Sequence, residues 1–318
     1  MRQGASSGAL GQAANHPGIA TTLGDLGVAY QSQGDYPRAI EYHESSLTMK
    51  RAIHGQTANH PGIATTLGNL GTVYRFQGNY PRAIEYYESS LTMMRAIYGQ
   101  TANHPGIATT LSNLGGVYRS QGDYQRAIEY YESSLTMDRA IHGQTANHLG
   151  IAGTLSNLGE VYRSQGDYPR AIEYCEWSLT MDRAIYGQTE NHLDIAETLS
   201  NLGSVYRSQG DYPRTIEYYE SLLAMYRAIH GETSNHPDIL NVQNNLDTAN
   251  AAVNVAECTT CCCAVCCCPC LMVVSALKCC GFFSQPSNAS SNQIRASDKH
   301  EITESDKDSL TRALLMER

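Results

Sequence analysis

The chain has little of what most functional classes require. Its 318 residues carry 22 Lys and Arg against 31 Asp and Glu, a net charge of −9, and the basic residues form no cluster. A nucleic-acid partner is therefore not expected, because phosphate binding needs a basic patch or stripe. Residues 1–14 are small and polar and lack the apolar core of a secretory leader, so the expected location is the cytosol. Ten of the eleven cysteines fall between Cys258 and Cys280, and only Cys175 precedes them. A disulfide-stapled fold would spread its cysteines through the structured part, which excludes that architecture. Neither a GxxxxGK[ST] phosphate loop nor a GxSxG elbow occurs. No cofactor, no metal and no enzymatic activity are expected.

What the chain has is repetition. The phrase His-Pro-Gly-Ile-Ala-Thr-Thr-Leu begins at His16, recurs at His60 and His104, and returns in altered form at His148, His192 and His236, always 44 residues on. A fixed period of this size marks a repeat array. In the second copy, Ile63, Leu67, Leu70 and Tyr74 are spaced 4, 3 and 4, one face of an α-helix. Pro61 suits the first turn of that helix, Gln77-Gly78-Asn79-Tyr80 ends it, and Pro81 opens a second. The second helix carries Ala83, Ile84, Tyr87, Leu91 and Met94 on one side and stops near Gly99. Such a hairpin can bury its apolar side only against neighbours, so the core should run continuously along the array. Five hairpins are expected from Pro17 to Asn235, followed by a capping helix from Pro237 to about Val255. There Asp247 and Asn250 stand where the other copies have Gly and Tyr. The expected organisation is a disordered 1–14, an array over 15–256, a Cys-rich apolar segment over 257–283 and a disordered tail over 284–318.

The spacing Leu-Gly-x-x-Tyr, then Ala twelve residues after the Gly and an aromatic four later, resembles the tetratricopeptide repeat. It occurs as Leu26, Gly27, Tyr30 and Ala39, then as Leu70, Gly71, Tyr74, Ala83 and Tyr87, and again as Leu114, Gly115, Tyr118, Ala127 and Tyr131. The fourth copy has Leu158, Gly159, Tyr162, Ala171 and Cys175, and the fifth has Leu202, Gly203, Tyr206, Thr215 and Tyr219. The resemblance implies an all-α, right-handed superhelical solenoid of helix hairpins, with the glycine at a close helix crossing. It also implies a non-enzymatic scaffold that binds a protein or extended peptide in a concave groove. The wording Asn-His-Pro-x-Ile-Ala-x-Thr-Leu-x-Asn-Leu-Gly is similar to the long repeats of kinesin light chains and nephrocystin-like proteins, over Asn15 to Leu246. That adds a second expectation, a cargo adaptor with a kinesin heavy chain as partner. Kinesin light chains grip the heavy chain through a coiled coil before the repeats, where this sequence has about 15 residues.

On a helix turning about 100° per residue, Leu23, Leu26 and Tyr30 point to the buried side, and Thr21, Asp25, Val28 and Ser32 lie opposite. The later copies place Thr65, Asn69, Thr72 and Phe76 there, then Thr109, Asn113, Gly116 and Ser120, then Gly153, Asn157, Glu160 and Ser164, then Glu197, Asn201, Ser204 and Ser208. Two rows run along this side, Asn69, Asn113, Asn157, Asn201 and Asn245, and at its rim Arg75, Arg119, Arg163 and Arg207. Amides can pair with an extended backbone, and arginines with carboxylates. Duplication of a solvated surface would also produce such rows. Variation separates the two readings in part: Glu41, Glu85, Glu129, Glu173 and Glu217 on the outer side never change, whereas one groove position reads Val28, Thr72, Gly116, Glu160 and Ser204. Lys50, Met94, Asp138, Asp182 and Tyr226, at the end of the second helix, vary as well. The candidate groove residues are Asn69, Asn113, Asn157, Asn201, Arg75, Arg119, Arg163, Arg207, Thr72, Glu160 and Glu197. The six phased histidines belong to the repeat, since a catalytic base needs unique neighbours.

From Cys258 to Leu277 no side chain is charged. Cys261, Cys262, Cys263, Cys266, Cys267, Cys268, Cys270, Cys279 and Cys280 are candidates for S-acylation, which with several chains would anchor the protein to a membrane. A soft-metal or redox cluster is the alternative reading, and a segment without function is the third.

Overall fold

Each helix starts at a side chain that accepts an otherwise unpaired backbone N–H, and these caps set the rhythm of the fold. The computed structural model describes residues 16–265, apart from 145, 189–190 and 232–234, with side chains up to residue 255. Among the described residues there are eleven helices and no strand. The first helices of the hairpins are α1 (Pro17–Ser32), α3 (Pro61–Phe76), α5 (Pro105–Ser120), α7 (Leu149–Gln165) and α9 (Leu193–Gln209). The second helices are α2 (Tyr36–His54), α4 (Tyr80–Tyr98), α6 (Tyr124–His142), α8 (Tyr168–Tyr186) and α10 (Tyr212–His230). A last helix, α11, covers Pro237–Val265 and so runs past the expected end at Val255.

The phased histidines have a structural role as caps. Nδ1 of His16, His60, His104, His148, His192 and His236 accepts the backbone N–H two residues on, at 3.0–3.4 Å. Asp35, Asn79, Asp123, Asp167 and Asp211 cap the second helices by accepting the N–H three residues on. The capping histidine rings also stack on the end of the preceding helix, as in His54 with His60 at 3.6 Å and Tyr98 with His104 at 3.7 Å. The connection within a hairpin turns on a glycine such as Gly78, at φ 79°, a left-handed conformation that a side chain would strain.

Within a hairpin the helices cross at the glycine of the repeat. A Cβ on Gly71 would stand 2.8 Å from the Tyr87 ring, and one on Gly115 would stand 2.9 Å from Tyr131. Tyr87, Tyr131 and Tyr219 are fully buried there. Beside the crossing, Ser46, Ser90, Ser134 and Ser178 donate to the carbonyls of Ala20, Ala64, Ala108 and Ala152 at 2.6–2.8 Å. In the fifth hairpin the apolar Leu222 takes this place and is also buried. Successive hairpins pack second helix to first helix, so that one core runs from Leu47 to Leu246. This is the all-α solenoid of helix hairpins expected from the period.

The first hairpin departs from the expected burial. Leu26 is 38% exposed, whereas Leu70, Leu114, Leu158 and Leu202 are fully buried. The interior leucines are covered by the preceding hairpin, and no described residue covers that side of α1. Ile19 and Val28 are exposed with it.

Candidate functional site

In α4, α6 and α10 a buried tyrosine, Tyr87, Tyr131 or Tyr219, passes beneath the first helix and brings its hydroxyl out beside the variable groove position. Thr72 Oγ1 and the Tyr87 hydroxyl lie 2.8 Å apart, and Ser204 and Tyr219 form the same pair at 3.3 Å. Gly116 has no side chain to offer, and the Tyr131 hydroxyl comes within 3.4 Å of where its Cβ would be. In the fourth hairpin the tyrosine is replaced by Cys175, and Glu160 forms an ion pair with Arg119 instead. In three hairpins, then, a different residue at the variable position faces the same tyrosine 15 positions on. Burial pushes the Cys175 thiol up to about 12, so it stays protonated and inert.

The Asn and Arg rows lie on one face and engage each other. Arg119 Nη1 donates to Asn157 Oδ1 at 3.4 Å, and Arg207 Nη1 donates to Asn245 Oδ1 at 2.9 Å, each reaching into the next repeat. Asn201 Nδ2 donates to Ser156 Oγ at 2.9 Å, a contact that also crosses a repeat boundary. Asn69, Asn113, Asn157 and Asn201 are half-buried, as are Arg75, Arg119, Arg163, Thr72 and Glu160, while Arg207 and Glu197 are exposed. Part of each row thus ties neighbouring hairpins together, which reading the helices singly did not reveal. Arg75 differs from the rest of its row: its Nε is buried without a hydrogen bond, and its guanidinium lies 4.7 Å from the centre of the half-exposed Phe76 ring.

Two of the expected residues, Asn157 and Glu197, line a cavity of about 190 Å³ between the fourth and fifth hairpins, together with Asp182, Asp194 and Thr198. Asp182 is 3% exposed and accepts a hydrogen bond from Thr198 Oγ1 at 2.8 Å. Burial, ahead of its neighbours' charges, raises its carboxyl above the usual range. The cavity combines amide, hydroxyl and carboxylate groups and suits a polar or cationic group. Sequence reasoning did not place Asp182 in the groove, yet its position is a junction residue throughout. Lys50 Nζ donates to Thr66 Oγ1 at 2.8 Å, and Thr110 Oγ1 lies 3.9 Å from Met94 Sδ. Variation among Lys50, Met94, Asp138, Asp182 and Tyr226 was the signal that could have found it.

His230, His236 and Asp238 bring ligand-type atoms within 4.8 Å of one another. The two imidazoles are stacked at 3.7 Å and nearly parallel, so a cation between them would lie out of both ring planes, where imidazole has no lone pair. The arrangement suits a stacked helix cap better than a metal. Of the acylation candidates, Cys261, Cys262 and Cys263 fall in the backbone of α11 without described side chains, and Cys266, Cys267, Cys268, Cys270, Cys279 and Cys280 lie outside the described residues. The expectations for residues 1–14 and for the tail also lie outside them. Among the described residues, no helix is long and apolar enough to cross a membrane.

A tetratricopeptide repeat model matches residues 51–96, 64–140, 150–228 and 194–246, and a second tetratricopeptide repeat model matches residues 19–62. Among solved structures, BtubC (BKLC) from P. vanneervenii is 24% identical, with 69% of this chain and 84% of that chain covered and a TM-score of 0.57. A putative kinesin light chain from Podosopora anserina, described as having nearly identical TPR-like repeats, is 22% identical, covers 67% of this chain and 98% of its own, and gives a TM-score of 0.53. A point variant of that protein gives 0.54 with 97% of its chain covered. These likenesses concern the fold. No curated protein matches the chain.

Proposed function

The chain belongs to the tetratricopeptide repeat family, whose arrays are protein-interaction scaffolds, and on that footing we propose that it is a non-enzymatic adaptor. It holds an extended peptide segment of a protein partner across the face that carries Asn69, Asn113, Asn157 and Asn201. One observation carries this reading: the positions that differ most between otherwise near-identical copies converge on that face and on the cavity beside it. Asn amides left over from the inter-repeat contacts would meet the peptide backbone, and the flanking Thr72, Glu160, Glu197 and Arg positions would read its side chains.

The test is the affinity of a partner identified by cross-linking, measured before and after replacing Asn113 and Asn157 together by Ala. A loss of at least about tenfold, or about 1.4 kcal/mol, with the fold retained is the expected result. Unchanged affinity would exclude this face. Similarity to a putative kinesin light chain favours a second reading, a cargo adaptor, which co-purification with a kinesin heavy chain would support and its absence would contradict. The cysteine-rich segment is proposed as an acylated membrane attachment on the cytosolic side. Acyl-exchange labelling of Cys261 to Cys280 tests it, and absence of label would dismiss it.

A further inference from the structure

Arg75 and Arg119 hold equivalent places one repeat apart and differ in what stands 41 residues on. At Arg119 that residue is Glu160, whose carboxylate pairs with the guanidinium while Asn157 Oδ1 accepts a hydrogen bond from the same nitrogen. At Arg75 it is Gly116, and no carboxylate arrives. Arg75 Nη1 lies 3.1 Å from the point a Gly116 Cβ would occupy, and the Tyr131 hydroxyl is 3.4 Å from the same point. The guanidinium also reaches the Tyr87 hydroxyl, but its Nε remains buried without a hydrogen bond. The Nε itself is beyond a ligand's reach, but the guanidinium keeps a charge with no described carboxylate beside it, and an incoming carboxylate can pair with its Nη groups as Glu160 does with Arg119. Among the described residues, Arg75 is the arginine whose buried side-chain nitrogen lacks a hydrogen bond.

The fourth repeat therefore displays, within the chain, the ligand chemistry that the third repeat lacks. We propose that Arg75 anchors a side-chain carboxylate of the bound peptide, that Gly116 keeps this anchor open, and that Glu160 occupies the equivalent place on Arg119. The inference rests on the peptide-binding reading above and adds a register: an acidic residue of the ligand belongs at the third repeat and is refused at the fourth. Phe76, stacked on the guanidinium and half-exposed, gives the neighbouring ligand residue an apolar contact.

The test uses the full chain and a fluorescein-labelled peptide of alternating Glu and Ser, acetylated and amidated at its ends, against its Gln counterpart. The Glu peptide should bind at least about tenfold more tightly. Gly116→Glu, which copies the Glu160 arrangement one repeat earlier, should abolish that preference, and Arg75→Gln should do the same without adding bulk. Glu160→Gly should act in the opposite sense, raising the affinity or adding a second site. Circular dichroism checks the fold of each variant, and if Gly116→Glu does not fold, Arg75→Gln and Glu160→Gly decide. Equal binding of Glu and Gln peptides, or Glu-peptide affinity unmoved by Arg75→Gln, would overturn the proposal. So would a Gln peptide with a free C-terminus that binds as well as the Glu peptide. These failures leave the dependence of the natural partner on Asn113 and Asn157 untouched, so the two readings fall separately.

Discussion

The side of each hairpin that meets its neighbours and the side that carries the Asn row obey different rules. At the helix crossing, Gly71, Gly115, Gly159 and Gly203 recur because a Cβ there would stand less than 3 Å from the residue beneath, and those residues, Tyr87, Tyr131, Cys175 and Tyr219, are fully buried. On the other side Thr72, Gly116, Glu160 and Ser204 occupy one position, and each is satisfied by a different local partner or by none. On the inner side the close crossing leaves no room for even one added carbon. The outer end of the same tyrosine leaves room for change, and change accumulates there. Divergence between copies gathers on this face while the solvent-exposed outer glutamates stay fixed, and variation gathered on one face is what a binding surface requires.

The largest effects are expected on the inner side. Tyr87→Ala empties a fully buried aromatic position and should cost about 4 kcal/mol in a denaturant titration. A loss below about 1 kcal/mol would show that the crossing does not carry the packing assigned to it. The first hairpin supplies the next contrast, because His43 stands where the others have Tyr or Cys, with both ring nitrogens buried and unbonded. Burial, helped by Lys50, lowers its pKa from 6.5 to about 4. The unfolded chain then binds this proton more readily than the folded one. The stability is intact above pH 6.5 and falls as the pH drops toward 4, by up to about 3 kcal/mol. Replacing His43 by Tyr and Val28 by Thr recreates the Thr72–Tyr87 pair and should flatten that part of the pH profile. An unchanged profile would assign the effect to other groups. Gly71→Ala comes third, with an expected loss of about 2 kcal/mol as the Tyr87 ring is displaced. The smallest effect belongs to the groove: Ser204→Thr should move the melting temperature hardly at all, since Thr72 shows that the fold accepts a threonine there.

Much of this was legible in the sequence, for identifiable reasons. The period, the hairpin and the buried face at Ile63, Leu67, Leu70 and Tyr74 follow from spacing within single helices, and the structure shows all of them. What spacing alone did not reveal depends on how one helix is placed against another. The serine row donates to carbonyls 26 residues earlier, Arg119 reaches an amide 38 residues later, and Thr72 meets a hydroxyl 15 residues on. None of these separations is set by the turn of one helix. The same cause explains Leu26, which is apolar and correctly phased yet exposed, because burial at that position is provided by a preceding hairpin. For the candidate site, the Asn and Arg rows were visible as rows, but the contacts between them were not. The junction position of Asp182 was visible only as variation at a helix end.

The central claim is that the face on which the copies differ is the face that binds. It is tested most directly by making that face uniform, with Gly116, Glu160 and Ser204 all changed to Thr to match Thr72, and measuring the affinity of the identified partner by isothermal titration. The account predicts a loss of at least about tenfold with little change in melting temperature, and no loss when the outer Glu85, Glu129 and Glu173 are changed to Gln. Full affinity in the uniform chain, or a loss that follows the outer glutamates instead, would contradict it.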